Sequence, residues 1–180
     1  MTTRVDADWL RSWVAACVDG LAAARTRIDA LNVFPVPDGD TGTNLYLTLG
    51  SAWEQLAAAL ESGPTAGTGL SGVAGAVSRG ALVGARGNSG VIAAQMVHGC
   101  TAALAAAGDR PAWTPALLAA MLRRACDEGY RAVAQPVEGT ILTVARAAAE
   151  AAERLADGAR EDSGRVPVSY THLTLPTILL

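Results

Sequence analysis

The sequence has few aromatic residues, and this scarcity constrains the fold. Only 4% of its 180 residues are Phe, Trp or Tyr, although 51% are hydrophobic. The apolar content is therefore carried mainly by Ala, Leu and Val, with Ala dominant. Ala is the best helix former, whereas strands favour β-branched and aromatic residues. The composition predicts an all-α fold, a helical bundle with one sizeable core.

The sequence also lacks a basic surface pattern, a long apolar run and cysteine pairs at metal-type spacing. With 14 Lys and Arg against 17 Asp and Glu, we expect no nucleic-acid partner. No stretch of about 18 apolar residues is unbroken, so we expect no membrane span, and the N-terminus has no signal-peptide pattern. We expect Cys17, Cys100 and Cys126 to be buried free thiols, and their odd number fits a reducing cytoplasm.

Apolar periodicity and capping residues predict the helices. The predicted spans are about 8–31, 44–61, 71–83, 91–107, 115–134 and a last helix from about 138–140 to 156. The predicted N-terminal caps are Asp6 or Asp8 for the first helix, Thr41 or Thr43 for the second and Thr114 for the fifth. The Ala-rich helix faces leave room for a homodimer.

The composition changes abruptly near the C-terminus. From residue 167 the chain reads PVSYTHLTLPTILL, without the Ala, Arg and Glu of the preceding helix. This segment resembles translated adapter sequence from cloning, and the alternative is a natural linker to a further region. We therefore expect a nucleotide-binding domain over residues 1–165 and a non-native, disordered tail over residues 166–180.

Two carboxylates stand two residues apart in a rigid loop. Asp38 and Asp40 flank Gly39, which leaves no side chain between them, so both carboxylates can converge on one cation. Mg²⁺ takes one or two carboxylates together with waters and phosphate oxygens, and Asn32 can add an amide oxygen. The alternative is a plain surface turn, for which Asp-Gly is a common pair. The helix start directly after the loop favours a Mg-phosphate site.

A second Gly-rich segment, residues 84–90, also precedes a helix. Its glycine amides and the Ser89 hydroxyl can bind phosphate, and Arg86 can neutralise charge that develops during transfer. The alternative is an interhelical loop with Ser89 as the cap. At a third helix start, Thr140 either contacts nucleotide or caps the helix, and Glu138 is either an acidic contact or a favourable first-turn charge.

Three motifs together resemble a known family. Residues 31–44 read LNVFPVPDGDTGTN, residues 84–92 read GARGNSGVI and residues 136–142 read PVEGTIL. In this order they resemble the N-terminal kinase domain of bacterial fatty acid kinase, which is related to the nucleotide-binding subunit of dihydroxyacetone kinase. The resemblance covers about residues 5–160.

The resemblance implies an antiparallel helical barrel whose loops at one end hold ATP and two Mg²⁺ ions. Asp38 and Asp40 stand at the positions of metal ligands, and Asn32 at that of a third. The implied contacts to the nucleotide are Thr41, Thr43, Asn44, Asn88, Ser89, Gly90 and Thr140. The implied reaction transfers the γ-phosphate of ATP to a fatty acid carboxylate that a separate fatty-acid-binding carrier protein presents.

Two departures bear on the activity. The dihydroxyacetone kinase branch has His after the Gly-Asp-Gly-Asp motif, whereas Pro37 precedes the acidic pair here and Thr41 follows it, which favours the fatty acid branch. Fatty acid kinase chains are also much longer. The alternatives are therefore a dihydroxyacetone-type kinase subunit and a truncated ATP-binding module without transferase activity.

Overall fold

Six α-helices make up most of the described part of the chain. The structure, a computed structural model, describes residues 4–33, 37–62 and 69–161. The helices are α1 (Ala7–Leu31), α2 (Thr41–Glu61), α3 (Leu70–Gly84), α4 (Gly87–Ala106), α5 (Pro115–Arg131) and α6 (Ile141–Glu161). In these three ranges the β-type pairing is confined to one isolated bridge between Arg4 and Ala112. The predicted all-α fold is confirmed.

Each helix packs against the next in the chain, as expected of a bundle with short connections. In addition, α2 contacts α4, whereas the backbone of α6 lies closest to that of α5, and Ile141 at its start reaches the cluster of Leu21, Leu45, Leu49 and Ala93. An apolar cavity of about 110 Å³ lies between the helices. All six contribute to its lining, for example through Cys17, Leu49, Val77, Cys100, Leu122 and Ile141. The helices therefore surround a common apolar centre.

Glycines set the closest helix contacts. A Cβ atom on Gly80 of α3 would lie 2.6 Å from the carbonyl oxygen of Ser51 in α2. On Gly99 of α4 it would lie 2.3 Å from the carbonyl oxygen of Arg124 in α5. Both distances are shorter than van der Waals contact, so these helices approach as they do because the two positions carry no side chain.

Two predicted caps are confirmed at helix starts on the side opposite the motif loops. The Asp6 carboxylate accepts a hydrogen bond from the backbone N–H of Trp9 at 3.0 Å and caps α1. The Thr114 hydroxyl accepts one from the N–H of Leu117 at 3.1 Å and caps α5, which has Pro115 in its first turn. Both bonds satisfy N–H groups that have no partner inside their helix.

Four predicted helix boundaries were wrong: α6 ends at Glu161 rather than at residue 156, and the other three lie at the end of the bundle that carries the motif loops. α2 begins at Thr41 rather than at residue 44, and its N-cap residue is Asp40. α4 begins at Gly87 rather than at residue 91, and its N-cap residue is Arg86, not Ser89. α5 ends at Arg131 rather than at residue 134, with Ala132 as its C-cap residue.

The cysteines largely follow expectation. Cys100 and Cys126 are buried and all three thiols are free, but Cys17 is only half-buried. Loss of hydration raises the pKa of Cys17 to about 11 and that of Cys100 to about 12. Both thiols are therefore protonated at neutral pH and unreactive as nucleophiles.

α4 is the one helix of the described residues that is long and apolar enough to cross a membrane by length and composition. Its most apolar window is 44% buried, and it contacts α2, α3 and α5. The core helix of a bundle has this composition as well, so these properties alone do not make α4 a membrane span. The tail predicted for residues 166–180 lies outside the described residues.

Candidate functional site

The three motifs meet in one cleft of about 460 Å³ at one end of the bundle. The cleft lies where α1 and α5 end and where α2, α4 and α6 begin. Seven of the predicted site residues line it: they are Asn32, Asp38, Asp40, Thr41, Asn88, Ser89 and Thr140. Segments about 50 residues apart in sequence therefore converge on one space.

Hydrogen bonds within the acidic loop connect Asn32 to Asp38 and to Thr41. The Asn32 amide donates to Oδ1 of Asp38, and the Thr41 hydroxyl donates to Oδ1 of Asn32. Gly39 has a φ of 64°, in the left-handed region that glycine adopts without strain, and this lets the chain turn between the two aspartates. Asp38 is exposed and Asp40 half-buried, and both face the cleft.

The donor set fits a hard divalent cation bound together with an anionic ligand. The described residues contain no cluster of three His, Cys, Asp or Glu side chains that could hold a metal alone. Two carboxylates and the oxygen of Asn32 are an oxygen-only set with room for waters and phosphate oxygens. This is the way Mg²⁺ is bound in phosphate-transfer sites, rather than in an all-protein cage.

Asp29, in the last turn of α1, was missed by the sequence reasoning. Its carboxylate accepts hydrogen bonds from the N–H of Thr43 at 3.0 Å and from the Thr43 hydroxyl at 2.7 Å. Burial alone would raise the pKa of Asp29, but the bonds from Thr43 and Gly42 and the charge of Arg25 outweigh it, and the pKa is lowered. Asp29 lies fourteen residues before Thr43, and no local pattern indicates such a cap.

Thr43 and Asn44, both predicted near the phosphates, do not line the cleft. Thr43 is held by Asp29. Asn44 is buried and lies under Gly87, where a Cβ atom would come within 2.2 Å of the Asn44 side-chain nitrogen. The two residues therefore support the start of α2 and the start of α4, and their contact with a nucleotide stays a prediction.

The second motif divides in a similar way. Asn88 and Ser89 line the cleft, whereas Gly90 packs against Thr48, whose hydroxyl oxygen would lie 2.5 Å from a Cβ atom there. The exposed Arg86 is not among the lining residues, and its guanidinium donates to the carbonyl oxygen of Ala85 at 3.0 Å. The predicted charge-neutralising role of Arg86 requires its side chain to leave this bond, and it stays a prediction.

At the third motif, Thr140 lines the cleft and also caps α6. Its hydroxyl donates to the carbonyl oxygen of Val137 at 2.8 Å and accepts from the N–H of Leu142 at 3.3 Å. The carboxylate of Glu138 pairs with Arg146 at 2.7 and 2.8 Å and accepts from the Thr143 hydroxyl at 2.7 Å. Hydrogen bonds from Thr143 and from Arg146 lower the pKa of Glu138, so this carboxylate is committed to an ion pair beside the cleft.

The remaining lining of the cleft is mostly apolar and was not predicted. Residues 132–135 belong to it because α5 ends before them. They are joined by Val91, Ile92, Val137, Ile141 and Leu142. Pro136 is the sequence signal for this part of the lining, because it disfavours a helix that continues through residue 135. The cleft thus combines an apolar side, an oxygen-rich side and the N-terminal turns of α2 and α4, which attract anions.

Comparisons with known proteins show which family the chain resembles. The model of the DAK2 domain matches residues 35–166, which include all but the beginning of the first motif. Protein YloV of Bacillus subtilis is 43% identical over 144 residues, which are 80% of this chain and 24% of that protein. An uncharacterised protein of Staphylococcus saprophyticus is 39% identical over 157 residues, 87% of this chain and 27% of its own. The chain spans about a quarter of the length of these relatives.

The motif order, the helical fold and the family model lead to one assignment. The matched segment covers most of the chain and contains the second and third motifs entire. By this match the chain belongs to the DAK2 domain family.

Proposed function

We propose that this domain binds Mg-ATP in the cleft and transfers the γ-phosphate to a fatty acid carboxylate presented by a carrier protein. The observation that carries the proposal is the convergence of three motifs on one cleft. Two carboxylates and several apolar side chains line this cleft. Membership of the DAK2 family supports a kinase-type activity. The sequences around Pro37 and Thr41 support the fatty acid as acceptor. We place the reaction in the cytoplasm.

In this proposal the acidic loop holds the metal and the helix starts hold the phosphates. Asp38 and Asp40 would hold Mg²⁺, and the amide oxygen of Asn32 would join them by exchanging its hydrogen bond from Thr41 for the cation. The first-turn N–H groups of α2 and α4, with Asn88 and Ser89, bind phosphate oxygens. Mg²⁺ supplies charge neutralisation for the phosphates and the leaving group.

The proposed reaction forms one bond and breaks one. A carboxylate oxygen of the fatty acid attacks the γ-phosphorus, the bond from this phosphorus to the β,γ-bridging oxygen breaks, and the products are acyl phosphate and ADP. The carboxylate is already ionised at neutral pH, so the chain needs no general base. Its task is to position the groups and neutralise charge, which carry most of the catalysis in phosphoryl transfer.

A transfer assay tests the proposal. ADP release is measured with Mg-ATP and a fatty-acid-loaded carrier protein, for the wild type, Asp38→Ala and Asp40→Ala. Asp19→Asn is the control, because it removes an exposed carboxylate in the middle of α1, away from the cleft. We expect carrier-dependent turnover in the wild type and the control, and its loss in both cleft variants. Unchanged turnover in the cleft variants would contradict the proposal.

The same assay separates the alternatives. Turnover with dihydroxyacetone and no response to the carrier would show a dihydroxyacetone-type kinase subunit, an activity that the family of the domain also suggests. ATP binding without turnover on either acceptor would show a nucleotide-binding module that needs the rest of a longer protein.

A further inference from the structure

The start of α2 is capped by a side chain of α1 rather than by its own N-cap residue. In most helices a Ser, Thr, Asp or Asn at the N-cap position uses its own side chain to accept an N–H of the first turn. Asp40 occupies this position in α2, yet its carboxylate makes no capping hydrogen bond. The N–H that it would cap, that of Thr43, is bonded to Asp29 of α1 instead.

The backbone brings Asp29 within reach of α2. Gly42 lies against α1 so closely that a Cβ atom would come within 2.3 Å of the carbonyl oxygen of Arg25. This contact places Thr43, the next residue, over the Asp29 carboxylate. Both oxygens of Asp29 are used there, one by the N–H and one by the hydroxyl of Thr43.

We propose that Asp29 is a positioning residue for the metal ligand Asp40: by capping α2 in its place, Asp29 leaves the Asp40 carboxylate directed to the cleft. Without Asp29, the N–H of Thr43 is free for the Asp40 carboxylate to accept, as an ordinary N-cap residue does. The Asp40 carboxylate then turns toward the helix and away from the cation. Asp29 does not line the cleft and contacts no substrate.

This inference rests on the proposed function, because it assigns Asp29 a role toward a bound cation. Residues that orient metal ligands typically change metal affinity by about 10- to 100-fold when they are replaced. A residue that only stabilised the fold would lower the unfolding temperature without this effect. Metal affinity and stability can therefore be separated with suitable variants.

The experiment measures Mn²⁺ binding to the whole chain in the presence of ATP, by electron paramagnetic resonance. We expect Asp29→Ala to weaken Mn²⁺ binding by about 10- to 100-fold and Thr43→Val to weaken it less, since Thr43→Val keeps the backbone bond. Thr43→Ser keeps both bonds to Asp29, so it should bind Mn²⁺ with the affinity of the wild type. In the double variant of Asp29→Ala and Thr43→Val, the two effects should not add, because both act through one contact.

Asp6→Ala is the matched control, because it removes a helix-capping carboxylate from the opposite end of α1. We expect it to lower stability while leaving the Mn²⁺ affinity within twofold of the wild type, an order-of-magnitude bound for a distant site. Equal Mn²⁺ affinity in folded Asp29→Ala and in the wild type would overturn the inference.

Hydrogen exchange of the first turn of α2 distinguishes failure of the inference from failure of the proposed function. If the wild type binds no Mn²⁺ with ATP, the proposed function is overturned, and the role of Asp29 toward the cation with it. Faster exchange around Thr43 in Asp29→Ala would still show that Asp29 caps α2. Unchanged exchange there would overturn the capping role itself, whatever the Mn²⁺ result.

Discussion

At the scale of single residues, the ability of the cleft to bind a ligand depends on which polar side chains are already hydrogen-bonded within the protein. Glu138 is an acidic residue beside the cleft, but its oxygens are taken by Arg146 and Thr143. Asp40, by contrast, has no capping bond and lines the cleft. The carboxylates of Glu138 and Asp40 therefore have different tasks. One fixes a loop and the other is directed to a ligand.

Gly87 gives a prediction at this scale. It has a φ of 57°, and a Cβ atom there would lie 2.2 Å from the side chain of Asn44. Left-handed geometry costs a residue with a Cβ atom about 1–2 kcal/mol, and the clash adds to this. We expect Gly87→Ala to lower the free energy of unfolding by about 1–3 kcal/mol in urea denaturation.

The control for this prediction is Gly20→Ala in the middle of α1, where a Cβ atom would meet nothing within 4 Å. Because Ala favours a helix interior over Gly by up to about 1 kcal/mol, this substitution should stabilise the protein. Equal effects of the two substitutions would mean that Gly87 is not held in the left-handed region.

At the scale of helices and loops, the sequence predicted the elements better than their starts. α1 was predicted to within a residue, because its apolar period and the cap at Asp6 are local signals. The start of α2 was misplaced because its cap, Asp29, comes from another helix. The start of α4 was misplaced because Gly87 packs against the side chain of Asn44, which only the fold brings near. Local patterns cannot contain such contacts.

The candidate site follows the same rule. Asn32, Asp38, Asp40, Asn88, Ser89 and Thr140 were predicted from their motifs and line the cleft. Thr43, Asn44, Gly90 and Arg86 were predicted on the same grounds and do not line it. Motif membership marks residues that build the site, and only the packing separates those that face the cleft from those that support it.

The ion pair between α5 and α6 gives a prediction for pH. Arg123 donates two hydrogen bonds to the Glu153 carboxylate, at 2.7 and 2.6 Å, and they lower the pKa of Glu153. The stabilisation is thus fully present above the ordinary Glu pKa of about 4.3, and it is lost as the pH falls through the lower folded value. Both side chains are partly exposed, so we expect Glu153→Gln to cost about 0.5–1 kcal/mol at pH 7.

Urea denaturation at several pH values checks this dependence. The difference between wild type and Glu153→Gln should shrink as the pH falls below about 4. Glu54→Gln, at an exposed position of α2, is the control and should change stability little at any pH. A difference between Glu153→Gln and wild type that stays constant into acid would rule out the ion pair as its cause.

At the scale of the whole molecule, the bundle holds the cleft at one end and leaves its last helix least supported. Among the described residues α6 packs mainly on α5 and reaches other helices through Ile141 at its start, whereas α3 lies between α2 and α4 along its length. Helices with fewer packed neighbours open with smaller free energies. We expect hydrogen exchange to be faster in the amides of α6 than in those of α3. Equal protection in both helices would show that α6 unfolds only with the whole bundle.

In the proposed function, the cleft at the motif loops binds ATP through a metal on Asp38 and Asp40. Calorimetric titration of ATP, with and without Mg²⁺, tests it most directly, for the wild type, Asp38→Ala, Asp40→Ala and the Asp19→Asn control. We predict binding that requires Mg²⁺ in the wild type and the control and that is lost in both cleft variants. ATP binding that is unaffected by Mg²⁺ or by either cleft substitution, or no binding to the wild type, would contradict the account.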